Sequence, residues 1–205
     1  MGVFVKICGI AREEDARRVG ELHPDAMGFV FWPGSKRCVK AEDVAAWTRR
    51  LPSGILKVGV FVDAPAEEIS RVRAIAGLAV VQLHGAEGPG FCNKLPGALW
   101  KAVNASTFAA DQAAHFQVDA FLVDSATAAA PGGTGVKADW GKARSFVEHS
   151  GRLVLLAGGL TPANVREAIN TVHPWGVDVS SGVEAAPGAK DIDKVRAFIE
   201  ESRGT

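Results

Sequence analysis

The sequence lacks an excess of charge of either sign, because 23 basic residues balance 23 acidic ones among its 205 residues. A balanced composition offers no basic surface to a nucleic acid and no polybasic segment to an anionic membrane. The sequence also lacks an apolar run close to the roughly 20 residues that cross a bilayer. We therefore expect neither a nucleic acid nor a membrane as a partner.

Cysteine is scarce, and the three residues Cys8, Cys38 and Cys92 are an odd number without paired spacing. This usage argues against a disulfide framework and against a zinc site, and it fits reduced thiols. The first residues also lack the charged and apolar regions of a signal peptide. The expected location is therefore the cytoplasm.

Linkers and low-complexity tails are absent from the sequence as well. A chain of this length buries a sizeable core on its own. We therefore predict one domain that spans residues 1–205. The apolar residues scattered over the predicted outer helices give no prediction of the oligomeric state.

Eight short apolar runs rich in β-branched residues alternate with segments of helical spacing. This alternation predicts parallel strands joined by crossover helices. A count of eight favours a closed (β/α)8 barrel, an α/β fold for which about 200 residues is near the lower size limit and whose active sites lie at the C-terminal face. The predicted strands are Val3–Ile7, Met27–Phe31, Ile55–Val62, Ala79–Leu83, Ala98–Val103, Ala120–Val123, Leu153–Leu156 and Gly176–Val179.

Two of the helical segments have recognisable start signals. Thr161 is the predicted N-cap of the helix before the last strand, with Pro162 at the first helical position. Asp63 is the predicted N-cap of the third helix. The helical segments include Ala11–Leu22, Ala41–Leu51, Pro65–Ala76, Thr161–Val172, Ile192–Glu200 and a weaker one at Gly88–Leu95.

The last two predicted strands both end in small residues that suit an anion site. Glycines at a strand end let a ligand approach the backbone closely, and exposed N–H groups there attract negative charge. In (β/α)8 barrels a phosphate-binding site lies after these two strands. The predicted phosphate-binding residues are Gly158, Gly159, Ser180, Ser181 and Gly182.

Seven motifs lie at or near the strand ends. They are Val5–Ile10, Gly28–Phe31 with Ser35–Arg37, Val80–Gly85, Phe121–Ser125, Gly132–Gly135 with Asp139–Trp140, Leu155–Leu160 and Val177–Glu184. Together and in this order they resemble the phosphoribosylanthranilate isomerases of tryptophan biosynthesis. Two positions depart from the usual family pattern, Lys36, where proline is frequent, and Ala138, where an aromatic residue is usual.

The resemblance implies an Amadori rearrangement of a small phosphorylated substrate by an isomerase of the aldose–ketose type. It implies Cys8 as the general base and Asp124 as the general acid, with no metal and no organic cofactor. Arg37 suits the aminobenzoate carboxylate, since its guanidinium binds both oxygens. His84 and Asp178 are the other predicted substrate contacts.

The residues below the two catalytic candidates support different protonation states. Alternation along the first strand places Lys6 on the same side as Cys8, one layer deeper, and a cation there favours the thiolate that a base requires. Leu122 lies below Asp124 in the same way, and apolar burial raises the pKa of a carboxyl group. We therefore expect the two environments to drive these pKa values apart.

Each candidate also has a structural interpretation. Cys8 is either the base or a small core residue, and Asp124 is either the acid or the N-cap of a turn. His84 either lines the substrate pocket or only bonds a loop carbonyl. Asp178 either contacts a sugar hydroxyl or neutralises Lys6 inside the barrel.

The loop Ser125–Lys137 is rich in glycine and alanine. Its end superficially fits a dinucleotide-binding pattern, but no strand directly precedes it and no acidic residue follows at the expected distance. The loop is therefore either a mobile lid over the substrate or a loop without a role.

Other functions fit the sequence less well. The histidine-pathway isomerase resembles two half-barrels with an aspartate after the first strand, where this chain has Cys8. Indole-glycerol-phosphate synthase needs lysine acids and bases, and a ribulose-phosphate epimerase needs a metal-binding set. A non-catalytic phosphate-binding barrel needs neither Cys8 nor Asp124.

Overall fold

A computed structural model describes residues 2–124 and 139–204. Eight parallel strands close into a barrel in which each strand pairs with the next along the chain and the eighth pairs with the first. The predicted (β/α)8 fold is therefore confirmed. The predicted lid Ser125–Lys137 and the family departure at Ala138 lie outside the described residues. The strands are β1 (Phe4–Ile7), β2 (Ala26–Val30), β3 (Leu56–Phe61), β4 (Val80–Leu83), β5 (Leu99–Val103), β6 (Ala120–Val123), β7 (Leu153–Leu156) and β8 (Gly176–Val179).

Helices cover the outside of the barrel in the connections between strands. After β5 the described connection is a 3-10 helix, Ala110–His115, in place of an α-helix. After β8 a short 3-10 helix, Ser181–Val183, leads into a hairpin of β9 (Glu184–Ala186) and β10 (Ala189–Lys190). The α-helices are α1 (Glu13–Gly20), α2 (Ala41–Trp47), α3 (Ala66–Ala76), α4 (Pro89–Cys92), α5 (Trp140–Ser150), α6 (Val165–Val172) and α7 (Ile192–Arg203).

The predicted start of α6 is wrong by one turn. The helix begins at Val165 and not at Pro162. The reason is a separate turn that Asn164 closes, since its Oδ1 accepts a hydrogen bond from the Thr161 N–H at 2.8 Å and its Nδ2 donates to the Gly159 carbonyl at 3.0 Å. This turn holds the chain that leaves β7 next to the predicted phosphate site.

The predicted N-cap of α3 is also wrong. That helix begins at Ala66 after Pro65. Asp63 has a φ of 49°, in the left-handed region that aspartate tolerates better than most residues. Its Oδ1 accepts a hydrogen bond from the Ala86 N–H at 2.7 Å, so Asp63 joins the loops after β3 and β4.

Side chains fill the interior of the barrel. Leu122 is fully buried there among small and aliphatic side chains, as predicted. At the N-terminal end Phe4 stacks on Trp175 with ring centroids 4.4 Å apart, and Trp100 meets both rings edge-on. Because the interior is packed, a ligand can bind only at the ends of the barrel, and in this fold the active site lies at the C-terminal ends of the strands. Within residues 2–124 and 139–204, no helix has the length and apolar character to cross a membrane.

A buried ion pair fixes the loop after β4. Lys101 Nζ donates to Glu87 Oε2 at 3.0 Å and to the Gly85 carbonyl at 2.8 Å, and the two side chains are 5% and 3% exposed. Glu87 also accepts the backbone N–H groups of Asp63 and Gly85, each at 2.9 Å. The Lys101–Glu87 ion pair therefore fixes the backbone of the loop that carries His84.

Replacing Lys101 by methionine should lower the free energy of unfolding by about 3–5 kcal/mol, because Glu87 stays buried without its cation. The matched control is Arg166→Met, which removes the Arg166–Glu201 pair, whose side chains are 50% and 43% exposed. That change should cost less than about 1 kcal/mol. Chemical denaturation measures both, and equal losses would contradict the structural importance of the buried pair.

Candidate active site

A cavity of about 410 Å³ lies at the C-terminal ends of the strands. It gathers side chains and backbone from distant parts of the sequence, as the predicted barrel requires. All ten predicted site residues line it, and these are Cys8, Arg37, His84, Asp124, Gly158, Gly159, Asp178, Ser180, Ser181 and Gly182.

Cys8 follows β1 directly and is 7% exposed. Its N–H donates to the Val179 carbonyl at 2.8 Å, which continues the pairing of β1 with β8. Gly28 of β2 makes room for the thiol, since a Cβ at that position would lie 2.6 Å from the Cys8 Sγ. The backbone therefore places the thiol in a tight position at the floor of the cavity.

Burial raises the pKa of the Cys8 thiol above its ordinary value. The charge of Lys6 acts in the opposite direction, as predicted, but burial outweighs it and the carboxylate of Asp178 adds to the rise. The expected fall in the pKa of Cys8 is therefore wrong. A proton on Cys8 at neutral pH follows from this position, and the thiolate, once formed, is a strong base.

Lys6 is fully buried inside the barrel, and its Nζ donates to Asp178 Oδ1 at 2.8 Å. Burial opposes the charge of Lys6, but Asp178 and Cys8 outweigh this effect and raise the pKa of Lys6. Of the two interpretations of Asp178, the neutralisation of Lys6 is present in the structure. Asp178 also lines the cavity, and its contact with a substrate stays a prediction.

Asp124 follows β6, and its N–H donates to the Val103 carbonyl at 3.0 Å. Its Oδ2 lies 3.3 Å from Nε2 of His84, whose Nδ1 lies 3.1 Å from Nε2 of Gln82. When the Gln82 amide donates to Nδ1, the ring proton of His84 lies on Nε2 and faces Asp124. His84 therefore lines the cavity, which is the first of the two interpretations of this residue. It also contacts the predicted acid.

Arg37 is held by a carboxylate that the sequence analysis did not single out. Its Nε and Nη2 donate to Glu184 Oε1 and Oε2, each at 2.7 Å. Lys190 Nζ donates to the same carboxylate at 3.1 Å. Glu184 ends the motif after β8, which was the available signal for it. Lys190 lies outside the motifs, and its position depends on the β9–β10 hairpin.

The predicted phosphate site is built from the turn after β7 and the 3-10 helix after β8. Gly158 and Gly159 have φ angles of 85° and 65°, which L side chains rarely adopt. A Cβ at Gly182 would collide with the carbonyl oxygen of Leu160, so the two segments touch there. These glycines bring two stretches of backbone to one side of the cavity, beside Ser180 and Ser181.

Metal ligation has no support in the described part of the chain. There, no group of three or more His, Cys, Asp or Glu side chains is placed to hold a metal ion. The expected independence of metal stays a prediction.

Comparisons with known proteins distinguish among the phosphosugar enzymes that share this fold. A family model described as N-(5'phosphoribosyl)anthranilate (PRA) isomerase matches residues 5–201. The chain belongs to the PRA isomerase family. The resemblance stated from the sequence motifs is therefore confirmed.

Relatives of known name agree with this assignment over nearly their full length. The N-(5'-phosphoribosyl)anthranilate isomerase of Trichlorobacter lovleyi is 43% identical over 202 residues, which cover 98% of each chain. The PRA isomerase structure from Thermotoga maritima has a TM-score of 0.90 at 39% identity, with 99% of this chain and 100% of that chain covered. A further PRA isomerase structure, in complex with reduced 1-(o-carboxyphenylamino)-1-deoxyribulose 5-phosphate, has a TM-score of 0.85 at 38% identity over 99% and 100% of the two chains.

Proposed function

We propose that this member of the PRA isomerase family converts N-(5-phosphoribosyl)anthranilate into 1-(2-carboxyphenylamino)-1-deoxyribulose 5-phosphate, a step of tryptophan biosynthesis, in the cytoplasm. One observation carries the proposal. The thiol of Cys8 and the carboxyl group of Asp124, which follow the non-adjacent strands β1 and β6, line the same cavity. The reaction needs an acid and a base that both reach the same bound sugar.

Asp124 is the proposed acid of the first step. It donates a proton to the furanose ring oxygen, and the C–O bond breaks to give an open-chain iminium ion. Nε2 of His84 lies 3.3 Å from Oδ2 of Asp124, so its N–H stabilises the carboxylate that remains on Asp124 after the proton has been donated. General acid catalysis of this kind contributes about 10²–10⁴ in rate.

Cys8 is the proposed base of the second step. Its thiolate removes the proton from C2 of the sugar, and the electrons of that C–H bond move to form the enolamine. The enolamine then becomes the ketone when C1 gains a proton and the C2 hydroxyl loses one. The charge of Lys6, which is buried below Cys8, stabilises the thiolate until it takes the proton from C2.

The remaining cavity residues bind the two ends of the substrate. Arg37 binds the carboxylate of the aminobenzoate ring, and His84 and Asp178 contact the sugar. The phosphate lies against the backbone after β7 and β8, at the five residues predicted for it. No metal or organic cofactor takes part in these steps.

The protonation of Cys8 gives a prediction about pH. Because burial raises its pKa, the thiolate should be a minor species at pH 7 and should increase as the pH rises past the ordinary thiol pKa of about 8.5. The measurement is the ultraviolet absorbance of the thiolate, titrated against pH for the protein and for Cys8→Ser, with the difference assigned to Cys8. A midpoint below the pKa of free cysteine would contradict the raised pKa.

A growth test examines the proposed function in cells. In a tryptophan-requiring bacterial strain that lacks this isomerase, the chain should restore growth without tryptophan. The Cys8→Ser variant, expressed at the same level, should not. If the unchanged chain accumulates in folded form and fails to restore growth, the proposed function is wrong.

A further inference from the structure

The contact between Arg37 and Glu184 uses only one edge of the guanidinium group. Nε and Nη2 point to the two carboxylate oxygens of Glu184. The opposite edge, formed by Nη1 and the second N–H of Nη2, keeps two parallel donors in the geometry that binds a carboxylate. Arg37 lines the cavity whereas Glu184 does not, so Glu184 lies behind the arginine as viewed from the cavity.

Glu184 is itself fixed in place and charged. Its side chain is 5% exposed. Lys190 Nζ donates to Glu184 Oε1 at 3.1 Å and to the Ser180 carbonyl at 3.0 Å, so it links the carboxylate to the backbone after β8. Burial opposes the charge of Glu184, but Arg37 and Lys190 outweigh this effect and lower its pKa. Burial lowers the pKa of Lys190, and the Glu184 carboxylate acts against that fall.

The pair also has a defined position relative to the predicted base. Arg37 lies in the loop after β2 and Glu184 in the loop after β8, and these strands are the two neighbours of β1 in the barrel. The Arg37 side chain passes over Gly9, where a Cβ would lie 2.5 Å from its Cδ. The Arg37 side chain therefore packs on the backbone that follows Cys8, and the ion pair joins the loops on either side of β1.

From this geometry we infer that Glu184 is a positioning residue that sets specificity for the carboxylate of the substrate. It holds one edge of Arg37 so that the free edge faces the cavity and receives the ring carboxylate. The inference rests on the proposed function, because it assigns the carboxylate of the aminobenzoate to Arg37. Without Glu184, Arg37 would adopt several side-chain conformations, and substrates with and without the carboxylate would bind more nearly alike.

The test uses two inhibitors, the reduced open-chain product analogue with the ring carboxylate and the same compound without it. Glu184→Gln removes the charge of Glu184 and keeps its size. We expect this variant to bind the carboxylate-bearing inhibitor about 10-fold or more weakly and to bind the carboxylate-free inhibitor as before. KM for the carboxylated substrate should rise by a similar factor with little change in kcat. The matched control is Glu201→Gln at the exposed Arg166–Glu201 pair, which should change neither affinity.

Two further variants separate positioning from a general structural effect. Glu184→Asp keeps the charge and should recover part of the lost discrimination. In the background of Arg37→Ala, Glu184→Gln should cause no further loss of discrimination, because both act through the same contact. Equal weakening of both inhibitors by Glu184→Gln, or unchanged discrimination, would overturn the inference.

The outcome is separable from the proposed function. If the unchanged protein does not turn over phosphoribosylanthranilate, the proposed function fails. If it does, and Glu184→Gln keeps full discrimination between the inhibitors, only the role of Glu184 is wrong.

Discussion

Cys8→Ser should lower kcat by about 1,000-fold while the affinity for the reduced product analogue stays within about twofold. The reason is that a serine hydroxyl fits the space beside Gly28 but is far too weak a base to take the proton from C2 of the sugar. The contacts that bind the phosphate and the carboxylate lie on other loops and should stay intact. Steady-state kinetics and inhibitor titration measure the two quantities.

The control for this prediction is Cys38→Ser, which changes the same atom at an exposed position. It should leave both rate and affinity unchanged. Substrate deuterated at C2 adds a readout that is specific to the step. In Cys8→Ser the deuterium isotope effect on kcat should increase, because proton removal becomes rate-limiting. Parallel loss of binding and turnover would count against Cys8 as the base.

The second large effect is expected at Asp124. Asp124→Asn should lower kcat by at least ~100-fold with inhibitor affinity retained, because the amide has nearly the same shape but does not supply a carboxyl proton to the ring oxygen. In this variant ring opening becomes slow, so the isotope effect of C2 deuteration should fall towards one. The two variants should therefore move the isotope effect in opposite directions.

Asp111→Asn is the control for the acid, since Asp111 is exposed in the 3-10 helix after β5. It should be indistinguishable from the unchanged protein. A nearly normal rate for Asp124→Asn would remove Asp124 from the mechanism. An isotope effect that rises in both variants would mean that the acid does not act before the base.

Strand positions and the location of the cavity were predictable because they depend on local patterns. Each strand is a short apolar run, and most are followed within two residues by glycine or a polar residue, so the sequence alone places Cys8 and Asp124 at strand ends. Parallel pairing then brings those ends to one rim. The predicted boundaries of β6, β7 and β8 agree with the structure residue by residue.

The charges inside the site were harder to predict, since they depend on contacts between residues far apart in the sequence. The alternation along β1 placed Lys6 correctly below Cys8, but the balance between burial and charge at Cys8 depends on Asp178, which pairs with Lys6 from β8. The same reason applies to Glu184. Its bond to Arg37 joins two loops, and no local pattern at either residue predicts it.

The N-cap errors have a different cause. Thr161 and Asp63 both fit the residue preference of an N-cap, but each is used in a turn beside the cavity, where Asn164 and Ala86 provide the hydrogen-bond partners. Tertiary contacts of the loops therefore override the local signal at these two helix starts. Both departures lie where the chain leaves a barrel strand.

The central claim is most directly tested by turnover of phosphoribosylanthranilate, generated in the cuvette and followed by the loss of its fluorescence with a metal chelator present. The account predicts a rapid loss that needs no cofactor, disappears in Cys8→Ser and survives in Cys38→Ser. A well-folded protein that leaves the fluorescence unchanged would contradict the isomerase function. A rate that the chelator abolishes would contradict the independence of metal.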